Sequence, residues 1–271
     1  MLEHKEDIQV LFLGSSETQR AINPRYLNFE SINLANSSQR FYEDFKLLKA
    51  FTDKLPNLEM VVIEVSYDRA HRSKNHTSKV IDHKNLAFYS INTFQRDVKF
   101  QDNFLFFSNQ GYFSKRLQDH IFDESGIQLN EYGFDENKYY GSYQAVGHKD
   151  SLIKNEDIFI ENIEDTLSFK KNFELLEHMI QFSLKRGLQV LLYVPPAHYR
   201  YQKLRNPEIV DSRDRLISRL KRSYPHIKIY RQDSLNFEAR YFYNANHLNP
   251  DGAEIATKEF NKYLYKNFSS P

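Results

Sequence analysis

Five short apolar runs, each too brief to form a stable helix, recur along this chain and constrain its fold more than any other feature. They cover residues 8–13, 31–34, 60–65, 188–194 and 227–230. The run at 60–65 is the most β-branched of them and is typical of a central strand that is covered on both faces. The sequence therefore predicts five buried β-strands.

Segments with helical spacing of apolar residues separate these strands. Helices are predicted at about 39–55, 166–186, 208–224 and 250–265. Because parallel neighbouring strands need crossover connections and helices supply them, the alternation predicts an α/β fold, a three-layer α/β/α sandwich around a mostly parallel five-stranded sheet. Residues at about 69–165 show no clear alternation, and we interpret them as an insertion, a lid or subdomain, within a single domain that spans 1–271.

Polar segments follow four of the predicted strands. They are Ser16 and residues 36–38, 66–68 and 196–198. Since ligands of open α/β sheets bind beyond the carboxyl ends of the strands, we expect these segments to converge into one site.

The composition excludes several classes of function. Lys and Arg number 37 against 36 Asp and Glu, so the net charge of +1 offers no broad basic field for nucleic acid. The chain contains no cysteine, which excludes disulfides, thiolate nucleophiles and cysteine-bound metals. No apolar run approaches the ~20 residues that cross a bilayer, and the charged residues 1–7 do not resemble a signal peptide, so we expect no membrane span.

Ser16 is the first candidate catalytic residue. In Gly14-Ser15-Ser16-Glu17 a buried strand turns into a helix, which exposes a side chain above the sheet edge and provides backbone N–H groups for an oxyanion. Taken alone, the motif is more often a helix N-cap formed by Ser15 or Ser16.

His247 is the second candidate. It follows Asn244 in a polar loop before the last predicted helix, from which its ring could reach Ser16, and imidazole is the natural base for a serine hydroxyl. The chain has 10 histidines, so a single loop histidine is a weak signal by itself.

Together the two motifs resemble the SGNH (GDSL) hydrolase superfamily. Its nucleophile block is similar to Gly14-Ser15-Ser16, and its histidine block to His247-Leu248-Asn249 with Gly252-Ala253. The Gly-Ser-Ser form, followed by Ile22-Asn23-Pro24, is similar to the cell-envelope branch that includes O-acyltransferase-like members. The resemblance implies an SGNH/flavodoxin-like fold in which Ser16 is the nucleophile and His247 the base. It also implies ester hydrolysis or O-acyl (acetyl) transfer on a carbohydrate or cell-envelope substrate, with no cofactor and no metal.

Two positions that would serve the oxyanion differ from the family pattern. Ser38 stands where the second block has a glycine that donates a backbone N–H, and serine keeps that amide. Ser66-Tyr67-Asp68 stands where the third block has Gly-x-Asn-Asp, so the asparagine donor is missing. A charged Asp68 would repel an oxyanion unless it is protonated or turned away.

The supporting acid also differs, because Asn244 stands where the family has an aspartate three residues before the histidine. Its amide oxygen can still orient His247 but supplies no negative charge, and the comparable change in a serine protease costs about 10⁴ in turnover. Asp68, Asp233 and Asp251 are candidate substitutes.

Other residues are weaker candidates. His198 and Tyr199 follow the fourth strand and are predicted to line the substrate pocket, with a rigid turn as the alternative. A metal cluster built on His71, His76 and His83 has no known ligand spacing, so no metal site is predicted. Five tyrosines of the insertion could stack on sugar rings or form a local core. They are Tyr112, Tyr132, Tyr139, Tyr140 and Tyr143.

Two functions of different classes therefore stay open. One is a serine esterase or acyltransferase, and the other is a catalytically weak or inactive carbohydrate-binding or scaffold protein on the same fold. The expected partner is a small-molecule or carbohydrate ester, not nucleic acid, and the oligomeric state is left open. The literal sequence predicts a cytoplasmic protein, whereas a chain trimmed from a membrane anchor would belong to the periplasm or cell envelope.

Overall fold

The centre of the molecule is a five-stranded sheet with the strand order β2-β1-β3-β4-β5, in which every neighbouring pair is parallel. The computed structural model describes residues 5–72, 78–122, 126, 128–139, 141–154 and 166–268. The strands are β1 (Val10–Leu13), β2 (Ser31–Asn33), β3 (Met60–Glu64), β4 (Gln189–Val194) and β5 (Lys228–Arg231). The predicted α/β fold with a parallel five-stranded sheet is confirmed.

Helices cover both faces of this sheet because successive strand residues point to opposite sides. Their bounds are α1 (Ser16–Ala21), α2 (Phe41–Thr52), α3 (Ser78–Tyr89), α4 (Gln110–Ile121), α5 (Ser142–Ala145), α6 (Thr166–Lys185), α7 (Tyr199–Leu204), α8 (Pro207–Ser223) and α9 (Pro250–Phe268). Leu11 of β1 belongs to a core cluster with residues of α2, α6 and α8. Its neighbours Val10 and Phe12 belong to a second cluster with residues of α1 and α9. One core therefore lies on each face of the sheet, between the sheet and a layer of helices, which gives the three layers α/β/α.

The predicted elements occur in the expected order, and their ends differ from the prediction by at most three residues. Gly187 has a φ of 75° two residues after the end of α6, which agrees with its predicted place at the helix C-terminus. The segment at about 69–165 is more regular than its sequence suggests, since it contains α3, α4 and α5 with several 3₁₀ turns. Its assignment as an insertion stays a prediction.

The predicted polar loop before α9 is a short antiparallel hairpin of β6 (Phe242–Asn244) and β7 (His247–Leu248). The Asn244 amide oxygen accepts hydrogen bonds from the backbone N–H groups of Asn246 and His247, at 3.2 and 3.0 Å. This local bonding closes the turn and fixes the direction of His247.

In the part of the chain that the structure describes, no helix combines the length and the apolar character that a bilayer span requires.

Candidate active site

The turn between β1 and α1 presents Ser16. Ser15 is the N-cap residue of α1, and its hydroxyl accepts the Glu17 N–H at 3.3 Å. The capping role therefore falls on Ser15, which leaves the Ser16 hydroxyl available for another partner. Gly14 makes this tight turn possible, since a Cβ atom at that position would lie 2.6 Å from Glu64 Oε2.

That other partner is His247. Ser16 Oγ lies 2.7 Å from His247 Nε2, although the two residues are 231 positions apart in the sequence. On the opposite side of the ring, His247 Nδ1 lies 2.8 Å from the Asn244 Oδ1 atom. Because an amide oxygen only accepts hydrogen bonds, Nδ1 carries the proton and Nε2 is left as the acceptor for the Ser16 hydroxyl. The serine, the histidine and the asparagine thus form a hydrogen-bonded chain with the polarity that a general base requires.

The electrostatic surroundings keep His247 neutral. Burial, together with the cations of Arg20 and Arg72, lowers the pKa of His247 to about 4, and the carboxylate of Glu64 only partly opposes this effect. At neutral pH the imidazole is therefore unprotonated and able to accept a proton. The same low pKa shows that the imidazolium form is poorly stabilised in this site.

Glu64, the last residue of β3, holds the Ser15–Ser16 turn from below. Its carboxylate accepts hydrogen bonds from Ser15 N, Ser15 Oγ and Ser66 Oγ at 2.7 Å each, and from Thr18 N at 3.2 Å. Burial raises the pKa of Glu64, but the Arg69 guanidinium and these donors outweigh burial, so its pKa is lowered and the group is ionised. Sequence reasoning missed this residue, although a single charged residue inside the apolar run 60–65 was the available signal.

Arg69 connects the end of β3 to α2 beneath the site. Its Nη1 donates to the Glu64 backbone oxygen at 2.8 Å, and its Nη2 is hydrogen-bonded to Asp44 of α2. Gln39 donates to both the Leu34 carbonyl and Asp44, at 2.9 and 2.7 Å. All of these polar groups are buried, so the network gives the segments after β2 and β3 one fixed arrangement.

A cavity of about 70 Å³ lies beside the Ser16 hydroxyl. Its lining includes Ser16, His247, Ser38 and Asp68, so four of the predicted site residues come together. Ser38 has a φ of 65°, the left-handed conformation that glycine adopts most readily. This conformation agrees with the glycine that the second block of the resemblance has at this position. The remaining lining residues share a polar or charged character: Ser15, Glu17, Gln39, Arg40, Ser66, Arg69, Arg72 and Asn246.

Asp68 does not present an uncompensated negative charge to this cavity. Its carboxylate accepts hydrogen bonds from Arg72 Nε and Nη2, at 2.9 and 2.7 Å. The repulsion that the sequence suggested is thereby offset by a cation four residues later, a contact that sequence reasoning overlooked. The other two candidate acids also pair with cations, Asp233 with Arg213 and Arg231, and Asp251 with Lys138.

Glu17 is a second carboxyl group in the cavity wall. Burial, together with the carboxylates of Glu64 and Asp68, raises the pKa of Glu17 to about 8. Its Oε1 accepts a hydrogen bond from the Asn246 side chain at 3.0 Å, which links α1 to the hairpin turn beside His247. The group is therefore mostly protonated and neutral at pH 7, so it adds little negative charge next to Ser16.

His198 and Tyr199 are not among the residues that line the cavity beside Ser16, and their place in a substrate pocket stays a prediction. The His198 N–H donates to the Ala245 carbonyl at 2.9 Å, and its buried ring packs against Tyr143 and Phe242. The Tyr199 hydroxyl is hydrogen-bonded to Asp150. The His198 ring packs against Phe242 of β6, and its backbone is hydrogen-bonded to Ala245, so His198 stabilises the hairpin.

Two of the three histidines considered as metal ligands make other contacts. His71 Nε2 lies 2.9 Å from Ser212 Oγ, and His83 Nδ1 lies 2.8 Å from the Asp102 carbonyl oxygen. His76 lies outside the described residues. Within the described ranges, no three His, Asp or Glu side chains are grouped as a metal site requires.

No protein-family model and no curated protein matches this sequence. Solved structures that are similar in shape include a candidate acylhydrolase from Bacteroides fragilis, with a TM-score of 0.46, 10% identity, and coverage of 95% of this chain and 86% of that one. A GDSL-like lipase from Bacteroides thetaiotaomicron has a TM-score of 0.45 and 13% identity, with coverage of 97% and 90%. An acetyl xylan esterase from Butyrivibrio proteoclasticus has a TM-score of 0.41 and 9% identity, with coverage of 96% and 63%. Likeness this distant carries no conclusion about chemistry, which depends on the residues of this chain.

Proposed function

We propose that this chain is a serine-dependent ester hydrolase or O-acyltransferase of the SGNH kind. The observation that supports this most strongly is the 2.7 Å contact between Ser16 Oγ and His247 Nε2, two side chains brought together from opposite ends of the sequence. The hydrogen bond from Nδ1 to Asn244 favours the same conclusion, because it holds the ring in the tautomer that a base needs.

The proposed reaction proceeds through an ester on Ser16. His247 takes the hydroxyl proton as Ser16 Oγ attacks the substrate carbonyl, and it then returns that proton to the departing alcohol. Backbone N–H groups at the start of α1 and at Ser38 stabilise the oxyanion. A water molecule then releases the carboxylic acid, or a sugar hydroxyl takes the acyl group, and in both cases His247 first accepts the proton of the incoming hydroxyl and then returns it to Ser16.

The dimensions of the cavity favour a short acyl group. About 70 Å³ accommodates only a few water-sized groups, since one water needs roughly 10–15 Å³ measured in this way. The polar and charged lining also disfavours a long hydrocarbon chain. An acetyl ester, on a carbohydrate or another cell-envelope alcohol, is the substrate that suits both properties.

Covalent labelling tests the nucleophile. A fluorophosphonate probe should label the wild type, and labelling should be lost in Ser16→Ala and strongly slowed in His247→Ala. Ser223→Ala is the matched control, because Ser223 is an exposed serine in the last turn of α8, outside the lining of the cavity, and its replacement should leave labelling intact. Labelling that survives in Ser16→Ala would contradict the proposal.

A series of p-nitrophenyl esters tests the acyl group. Acetate should be hydrolysed with a higher kcat/KM than butyrate, and octanoate should be the poorest substrate. A preference for octanoate would contradict the short-acyl assignment while leaving the serine mechanism intact.

The alternative function is a binding or scaffold protein that retains this fold without efficient catalysis. Asn244 favours it, because the group bonded to Nδ1 is a neutral amide rather than a carboxylate. A wild-type protein that is folded but resists the fluorophosphonate probe would support this alternative.

A further inference from the structure

A cleft of about 820 Å³ adjoins the catalytic cavity, and Ser38 lines both. One wall comes from α1 and the segment after β2. The opposite wall comes from α3, α4, Gly126 and residues 129–137. Pockets that enclose organic ligands measure about 300–1,000 Å³, so the cleft has room for much more than an acyl group.

The charges along this cleft are unevenly distributed. Its described lining contains three basic side chains, Arg20, Lys84 and Arg116, and one acidic side chain, Asp135. The Asp135 Oδ1 atom accepts backbone N–H groups of Gln128 and Asn137 at 3.1 Å each, so this acid is engaged within its own loop. Arg116 also pairs with Asp119 of α4, since Arg116 Nη1 lies 3.7 Å from Asp119 Oδ2. Basic side chains still outnumber acidic ones in the described lining by three to one, although the whole chain has a net charge of only +1.

Aromatic rings and amides accompany these cations. Tyr112 and Tyr132 are each 39% exposed and line the wall formed by α4 and residues 129–137, while Tyr243 lines the cleft beside α1. The Arg20 guanidinium lies 4.4 Å from the centre of the Tyr243 ring. The amide side chains in the lining are Gln19, Asn33, Asn36 and Asn137. Aromatic faces suit the apolar sides of sugar rings, and amides suit their hydroxyls.

We propose that this cleft binds an anionic oligosaccharide, a glycan chain whose sugar units carry carboxylates. Lys84 and Arg116 contact its acid groups, and Tyr112 and Tyr132 stack on its rings. Binding of the glycan in the cleft does not depend on the proposed function. Only the delivery of an ester on that glycan to Ser16 rests on it. The cations come from three different helices, which matches charges spaced along a sugar chain.

Titration calorimetry with Ser16→Ala protein tests this binding without turnover. The probes are trigalacturonate, the neutral trisaccharide maltotriose and the charge-matched peptide triglutamate. Trigalacturonate should bind at least 10-fold more tightly than either of the others, and its affinity should fall as salt is raised. Equal affinity for maltotriose would overturn the charge assignment, and equal affinity for triglutamate would overturn the assignment to a sugar.

Substitution of the cations tests the location. Lys84→Gln combined with Arg116→Gln should weaken trigalacturonate binding at least 10-fold, with thermal melting used to verify folding. The matched control removes two exposed cations at the ends of α6 and α8, Lys185→Gln with Arg222→Gln, and should leave binding unchanged. Equal losses in both variants would overturn the assignment to this cleft.

The two proposals fail in distinguishable ways. If the wild type is not labelled by fluorophosphonate but trigalacturonate binding depends on Lys84 and Arg116, the cleft assignment stands and the esterase proposal fails. If Ser16 is labelled but trigalacturonate does not bind, the reverse holds.

Discussion

Replacing Asn244 with Asp should raise the pKa of His247 and, if His247 is the base of the proposed reaction, increase its rate. The Asn244 Oδ1 atom lies 2.8 Å from His247 Nδ1 and 3.0 Å from the His247 backbone nitrogen. An aspartate oxygen at the same place can accept both hydrogen bonds, so the substitution adds a negative charge with little change in geometry.

The size of the effect follows from the distance between the charges. Two unit charges about 4 Å apart interact by roughly 4 kcal/mol at an effective dielectric constant of about 20. Since one pKa unit corresponds to about 1.4 kcal/mol, this is roughly 3 units. The pKa of His247, lowered by burial to about 4 in the wild type, should therefore rise to near 7. The imidazolium that forms in the transition state gains the same stabilisation, so the rate at pH 8 should rise by about 10²–10³.

The assay is the pH dependence of kcat/KM for p-nitrophenyl acetate, which reports the ionisation of the free enzyme. Activity requires neutral His247, so the acidic limb should lie near pH 4 in the wild type and near pH 7 in Asn244→Asp. Asn236→Asp adds the same charge on an exposed loop and is the control. An unchanged acidic limb together with an unchanged rate at pH 8 would refute the reasoning.

Three further substitutions test the surroundings of the site. The pKa of Glu17 is raised by burial to about 8 in the folded protein, against 4.5 for the unperturbed group, so wild-type stability should fall by up to about 1.4 kcal/mol per pH unit as pH rises through that interval. Glu17→Gln should remove this contribution to the pH dependence, which thermal melting at pH 5 and pH 8 measures. An equal pH dependence of stability in the wild type and the variant would contradict the shift. Gly14→Ala should destabilise the fold by about 1–3 kcal/mol in urea unfolding, because its Cβ would lie 2.6 Å from Glu64 Oε2, and an unchanged midpoint would mean that the turn relaxes. Arg69→Met should cost about 3–5 kcal/mol by leaving the Asp44 carboxylate buried without its cation, and the double variant with Asp44→Leu should recover part of that loss in the same assay.

Much of the fold was predictable because the information is local. An apolar run such as 60–65 is too short for a helix and too apolar for an exposed strand, and Gly187 marks a helix end through its own backbone preference. The helical segments between such runs can serve as the crossover connections that parallel strands need, so the alternation predicts a parallel sheet. The region at about 69–165 was harder to interpret, because its helices carry exposed apolar residues such as Phe88 and Leu117 and lack a clean amphipathic pattern.

The sequence by itself determined the strands, their order along the chain, and the two motifs that contain Ser16 and His247. Only the tertiary structure decided which groups surround those two side chains. It placed Glu64 under the Ser15–Ser16 turn, paired Asp68 with Arg72, and packed the His198 ring against Phe242. The physical reason is that hydrogen bonds and charge interactions depend on distances in space, and residues far apart in a sequence carry no local signal of the neighbours that folding brings to them.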